Sequence, residues 1–199
     1  PDFPKDGYKG DYIVEISQQF DHQKNSLLSE EKLTEKIKKF SVDYLRKEQN
    51  TDLVALGVNF DSFKLESSFY FNGEIEKIVN TIKQNDKTYE KDSALWFKSS
   101  FYGDDKDRVM RKADGNYTYF VPDIAYHFDK WRRGFDRAIN IQGLDHHGTV
   151  KRVMAGLQAL NEGIDKDFPK TILHKMVKVV KDGKEVKISK RSGSFITLR

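Results

Sequence analysis

The chain has 199 residues, 37% hydrophobic and 13% aromatic, which is enough apolar side chain to bury a sizeable core despite 33% charged residues. The absence of cysteine excludes disulfides and thiolate metal sites, and no apolar run approaches the ~20 residues of a membrane span or forms a signal-peptide core, so a cytoplasmic protein is expected. The net charge of +4 is uneven, with 12 basic against 5 acidic residues from Lys151 onward and −3 left for residues 1–150, a gradient that fits a phosphate-rich partner.

The chain opens on Pro1-Asp2-Phe3-Pro4 without a methionine and stops at Arg199 directly after an apolar run, so it reads as an internal fragment. Asp11 is placed to cap a short helix through Gln19, with Tyr12, Ile13 and Ile16 as its apolar positions. Ser29 is a good N-cap for a long amphipathic helix in which Leu33, Ile37, Phe40, Tyr44 and Leu45 recur at helical spacing, with Val54 and Leu56 continuing it. Its charged face, with Glu35, Lys36, Lys38 and Lys39, reads most simply as solvated.

From Asn59 to Phe71 the apolar residues Phe60, Phe63, Leu65, Phe69 and Phe71 largely alternate with polar ones, which predicts strand, and the aromatic stripe predicts core. Gly73 ends the run. Ile75, Ile78, Val79 and Ile82 then give a short helix, Tyr89–Phe97 a hairpin, and Asp114-Gly115 the turn of a second hairpin. Residues 59–118 are thus a strand-rich insertion between helical segments.

Pro122 suits the first turn of a helix carrying Asp123 and His127, and Tyr119, four residues before Asp123, can face the same pocket. Arg137–Ile141 reads as a short buried strand. The turn Gly143-Leu144-Asp145-His146-His147-Gly148 leads from its carboxyl end into a helix from Thr149 to Leu160. Nucleotides bind at such strand ends, where the helix N-terminus offers free N–H groups. Asp145, His146 and His147 could instead be read as metal ligands, but adjacent turn residues rarely converge on one ion, and no metal site is expected. His127 and His174, each alone, read as packing or surface residues.

Ile172–Val180 is β-branched and partly alternating, although Lys175 falls on its apolar face, and Asp182-Gly183 turns it into a hairpin. The loop Lys187-Ile188-Ser189-Lys190-Arg191-Ser192-Gly193 follows. Two ammonium groups and a hydroxyl on a loop that glycine can reshape suit a polyphosphate whose charge must be met as pyrophosphate leaves; a solvated basic hairpin is the simpler alternative for this loop taken alone.

Three runs together, Asp114–His127, Gly143–Gly148 and Lys187–Arg191, resemble bacterial arginyl-tRNA synthetase in order and spacing. The stretch Phe3–Ile16 is similar too, so the resemblance covers nearly the whole chain. It implies an α/β fold: the second half of a class I, Rossmann-like parallel sheet with an inserted connective subdomain. The boundaries would be 1–58 for a helical part of the catalytic core, 59–118 for the insertion and 119–199 for the nucleotide-binding half.

The resemblance further implies ATP and Mg²⁺ as cofactors, L-arginine and tRNA(Arg) as partners, and no membrane. Lys187 and Lys190 would be catalytic, with Ile188 standing where Met is commoner. Gly143, Asp145, His146, His147, Met176 and Ser189 would bind ATP, and Tyr119 and Asp123 would bind arginine, since a carboxylate can grip a planar guanidinium bidentately. Leu144 stands where some relatives carry Gln. The His-x-Gly-His signature of class I enzymes is absent from this sequence, as are the family's anticodon-binding and N-terminal tRNA-binding domains, so the chain is expected to hold half an active site and to be inactive alone. The alternatives are a non-catalytic tRNA-binding fragment and another class I aminoacyl-tRNA synthetase.

Overall fold

A computed structural model describes residue 7 and residues 10–185. The chain divides into two compact units, one drawn from Pro1–Ser62 with Lys178–Arg199 and the other from Phe63–Val177.

In the first unit, α1 (Asp11–Gln19) begins after Gly10, which occupies the capping position at φ 155°; Asp11 is therefore the first helical residue and acts on the helix dipole instead of capping it. The turn that follows is tied by local bonds. Asn25 donates to the Asp21 carbonyl at 2.7 Å, and Lys36 donates to Asn25 Oδ1 at 3.0 Å. The long helix α2 (Glu30–Ala55) starts after Ser29, although the serine hydroxyl makes no capping bond. Phe20 meets Phe40 edge-on at 5.4 Å, so the apolar stripe of α2 has a partner near its start, yet no residue of α2 is fully buried. The Asp182-Gly183 turn joins β6 (Val180–Lys181) to β7 (Lys184–Glu185), and Lys178 pairs with Glu185 at 2.9 Å.

In the second unit, residues 66–71 correct the strand expectation: α3 (Glu66–Phe71) is a helix, ended by Gly73 in the left-handed region at φ 68°. Short apolar runs fit either period, and packing decides. Only Phe69 is buried, edge-on to Tyr126 at 6.3 Å, whereas Phe71 is 88% exposed and Phe60, Phe63 and Leu65 are exposed as well, so the stripe is not core.

The helix α4 (Glu74–Gln84) buries Ile75, Ile78, Val79 and Ile82, its full i, i+3, i+4, i+7 face. An antiparallel sheet of β1 (Thr88–Lys91), β2 (Ala94–Phe97) and β3 (Arg108–Arg111) follows, with the Asp114-Gly115 turn continuing the last hairpin. Its loop is pinned where Arg108 donates to both carboxylate oxygens of buried Asp104, at 2.8 and 2.9 Å. The remaining elements are α5 (Phe120–Arg132), β4 (Ile139–Gly143), α6 (His147–Ala159) and β5 (Lys170–His174), with β4 and β5 a parallel pair. That alternation, with helices beside parallel strands, makes the architecture α/β.

The strand at 139–143 forms as expected but is not buried. Ile139 and Ile141 are 58% and 67% exposed, and Ile172, opposite Ile141, is exposed on the same face. Parallel strands bury both faces only when both are covered. Within the described residues, the intermediate burial of Asn140, Gln142, Thr171 and Leu173 marks the other face as the covered one. The core gathers Ile78, Ile82, Phe97, Met110, Val121, Ile124 and Leu157 from helices and sheet together.

Candidate active site

The parallel pair runs in the register Asn140↔Thr171 and Gly143↔His174, so both strands deliver their carboxyl ends to the same place. There Gly143, Leu144, Asp145, His174, Lys175 and Met176 line a cleft of about 490 Å³, within the ~300–1,000 Å³ usual for small-ligand sites. Gly143 has an ordinary extended conformation, φ −66° and ψ 152°, and its need is spatial: a Cβ there would stand 2.4 Å from Asp145 Oδ1. The turn therefore folds the Asp145 carboxylate over a bare backbone.

Asp145 and His146 lie 3.7 Å apart in a 3₁₀ turn, both exposed, and His147 opens α6. His147 is exposed and does not line the cleft. His174 donates from Nδ1 to the Lys175 carbonyl at 2.8 Å. Met176 is 79% exposed at the cleft. No group of three or more His, Cys, Asp or Glu side chains among the described residues could hold a metal. Lys187, Ser189 and Lys190 lie outside the described residues.

Asp123 stands in the first turn of α5 at the rim of a second, smaller recess, which has room for about one water. Five other polar side chains line it: His127, one turn along the same helix, Asn140 and Gln142 from β4, Thr149 from α6, and Thr171 from β5. Val153 and Met154 of α6 close it. Burial pushes the Asp123 carboxyl above its usual range and Glu66 adds to the effect, while His146 opposes it. No hydrogen bond to Asp123 contributes among the described residues. Tyr119 occupies the N-cap position of α5, is 90% exposed and is not among the residues lining this recess.

The sequence reads His127 as a packing or surface residue, and its 4% exposure fits packing. It is nevertheless part of the recess, with Nδ1 3.4 Å from Lys130 Nζ. Burial first and the Lys130 ammonium second hold its pKa down to about 3, so the ring is neutral at any ordinary pH. Asn140, Gln142 and Thr171 escaped sequence reasoning as well. The signal available was strand alternation, which puts 140 and 142 on the face opposite the bare isoleucines.

A family model described as tRNA synthetases class I (R), catalytic domain, matches residues 8–199. An arginine--tRNA ligase of Bordetella petrii is 55% identical over 100% of this chain and 37% of its own length, and one of Geobacter metallireducens is 51% identical over the same shares. A Campylobacter jejuni structure assigned as an arginyl-tRNA synthetase superposes with a TM-score of 0.85 at 33% identity, covering 100% of this chain and 42% of that one. The Thermus thermophilus arginyl-tRNA synthetase, at 17% identity and a TM-score of 0.57 over 81% of this chain and 34% of that one, shows the same fold. The chain thus spans about 37% of the length of the curated relatives it matches.

Proposed function

This chain belongs to the family of class I tRNA synthetase (R) catalytic domains, and we propose that it serves an arginine–tRNA ligase, activating L-arginine with ATP to arginyl-adenylate and passing it to tRNA(Arg) in the cytoplasm. The observation that carries the arginine assignment is Asp123, a half-buried carboxylate with no hydrogen-bond partner among the described residues, which lines its recess with Asn140 and Gln142 of β4 and feels the charge of His146 in the nucleotide turn. The recess behind it takes only about one water, so the guanidinium meets the exposed side of the carboxylate. Tyr119, one helical turn before it, is the aromatic wall of that approach.

ATP fits the cleft. Gly143 lets the ligand approach the backbone, Asp145 is available to a ribose hydroxyl, and Met176 offers an apolar surface to the adenine, with His146 and His147 beside the turn. Lys187, Ser189 and Lys190 receive the phosphates, where two ammonium groups meet the charge that develops on departing pyrophosphate. Mg²⁺ would neutralise the polyphosphate. The ion would come with the nucleotide, bound through its phosphate oxygens. By this reading residues 1–58 are a helical part of the catalytic core, 59–118 the connective insertion and 119–199 the nucleotide-binding half.

The test is ATP–pyrophosphate exchange by the full-length protein, with tRNA present, across several amino acids. Arginine alone should support exchange. Exchange with a different amino acid, or salt-sensitive tRNA binding with no ATP dependence, would replace this reading by one of its two alternatives.

A further inference from the structure

We propose that His127 is a positioning residue for guanidinium recognition: Lys130 turns its imidazole so that Nδ1 accepts and the ring proton stays on Nε2, leaving a neutral ring, not a second cation, behind Asp123. This rests on the proposed role of Asp123 as the guanidinium partner.

A protonated lysine has donors and no acceptor, so an imidazole nitrogen 3.4 Å from Lys130 Nζ must be the unprotonated one. The ammonium is itself held in place, 4.0 Å from the centroid of the Tyr126 ring. His127 is 4% exposed and lines the same recess as Asp123, one helical turn away. Every lining side chain contributed by β4, β5 and α6 is uncharged. The charges that bear here are therefore Lys130 acting on His127, Glu66 of α3 and His146 acting on Asp123, and Arg133 and Asp129 acting on Lys130. Were the ring to protonate, an imidazolium would share the Asp123 carboxylate with the substrate and repel its guanidinium. Burial and, after it, the Lys130 ammonium keep the ring out of that state, so the whole negative charge remains for arginine.

The test is the dissociation constant of L-arginine for the full-length protein, measured by calorimetry from pH 8 to pH 5.5. Lys130→Glu replaces the donor with an acceptor and invites a proton onto Nδ1. If this returns His127 to an ordinary pKa near 6.5, the ratio of variant to wild-type Kd should climb about tenfold across that range, with Asp123's own titration cancelling in the ratio. Lys130→Arg, which still donates, should keep the ratio flat, and adding His127→Gln to Lys130→Glu should flatten it again. A flat ratio in Lys130→Glu at a pH where ¹⁵N spectra of that variant show the His127 ring protonated overturns the inference.

Asp123→Asn separates the two levels. If it loses arginine while Lys130→Glu stays flat, only the role of His127 falls; if it keeps wild-type affinity, the arginine site and this inference fall together. Should Lys130→Glu not fold, ¹⁵N spectra of the wild-type imidazole decide instead: a proton on Nε2 supports the arrangement, and one on Nδ1 overturns it.

Discussion

Gly156 of α6 lies so close to Ile124 of α5 that a Cβ at position 156 would stand 2.1 Å from Ile124 Cδ1 and 2.6 Å from its Cγ1. This contact sets the spacing of the helix that carries Asp123 and His127 against the helix that follows the nucleotide turn. Both residues are buried, so the isoleucine has little room to retreat. Gly156→Ala should cost about 1–3 kcal/mol by overpacking. Adding Ile124→Ala should recover part of that loss, because the remaining Ile124 Cβ is 3.7 Å away. Thermal unfolding of the two single variants and the double variant measures the coupling, and simple additivity would show that the helices move apart freely.

Asn85, the residue following α4, donates through Nδ2 to the carbonyls of Ala159 at 2.9 Å and Leu160 at 3.1 Å, satisfying the C-terminal end of α6. Asn85→Ala leaves both carbonyls without that partner. A loss of about 1–3 kcal/mol in stability is expected, with kcat/KM for arginine unchanged. A fall in kcat/KM at unchanged melting temperature would place Asn85 in the chemistry.

Asp104 is held well below the usual carboxylate range, first by the Arg108 guanidinium and then by hydrogen bonds that outweigh its burial. Its folded pKa is depressed, so the stability it contributes is fully present above the unfolded value near 3.9 and is lost as pH falls below it. Asp104→Asn should therefore lower stability at pH 7 and flatten the acid limb of the stability curve. An acid limb as steep as wild type would assign that slope to other carboxylates.

Asp123 has the opposite sign. Its pKa is raised by burial and by Glu66, so for this group stability is greatest below the unfolded pKa and declines as pH rises through the folded one. Asp123→Asn should keep or raise the melting temperature at pH 7 while weakening arginine selection by roughly 2 to 5 kcal/mol in the full-length protein. For the same reason wild-type kcat/KM for arginine should fall on acidification, as the carboxylate takes up its proton. A variant that melts earlier yet keeps its kcat/KM would make Asp123 a helix-terminus residue and no more.

Lys190→Ala in the full-length protein should slow adenylate formation by about a hundredfold, on the order of 3 kcal/mol, the cost of one preorganised donor to developing charge. Pre-steady-state pyrophosphate release measures it. An unchanged turnover with a raised KM for arginine would move Lys190 out of the phosphate site.

The sequence by itself determined the long amphipathic helix, the helix of Ile75 to Ile82, the hairpins at Asp114-Gly115 and Asp182-Gly183, and the strand, turn and helix around Gly143, because periodicity and turn chemistry are local. It also pointed to Asp123 through a helix start and to the family through three spaced motifs. Only the tertiary structure decided the rest. Residues 66–71 became helix because Phe69 found Tyr126, and a short apolar run has no preference strong enough to resist that contact. Ile139 and Ile141 read as core, yet stand exposed because burial depends on what covers a sheet face, which no strand pattern encodes. The same limit hid the recess. His127, Asn140 and Thr171 come from three elements, and their convergence on Asp123 follows from the parallel register and the packing of α5 over it, neither of which is written in any one stretch of the chain.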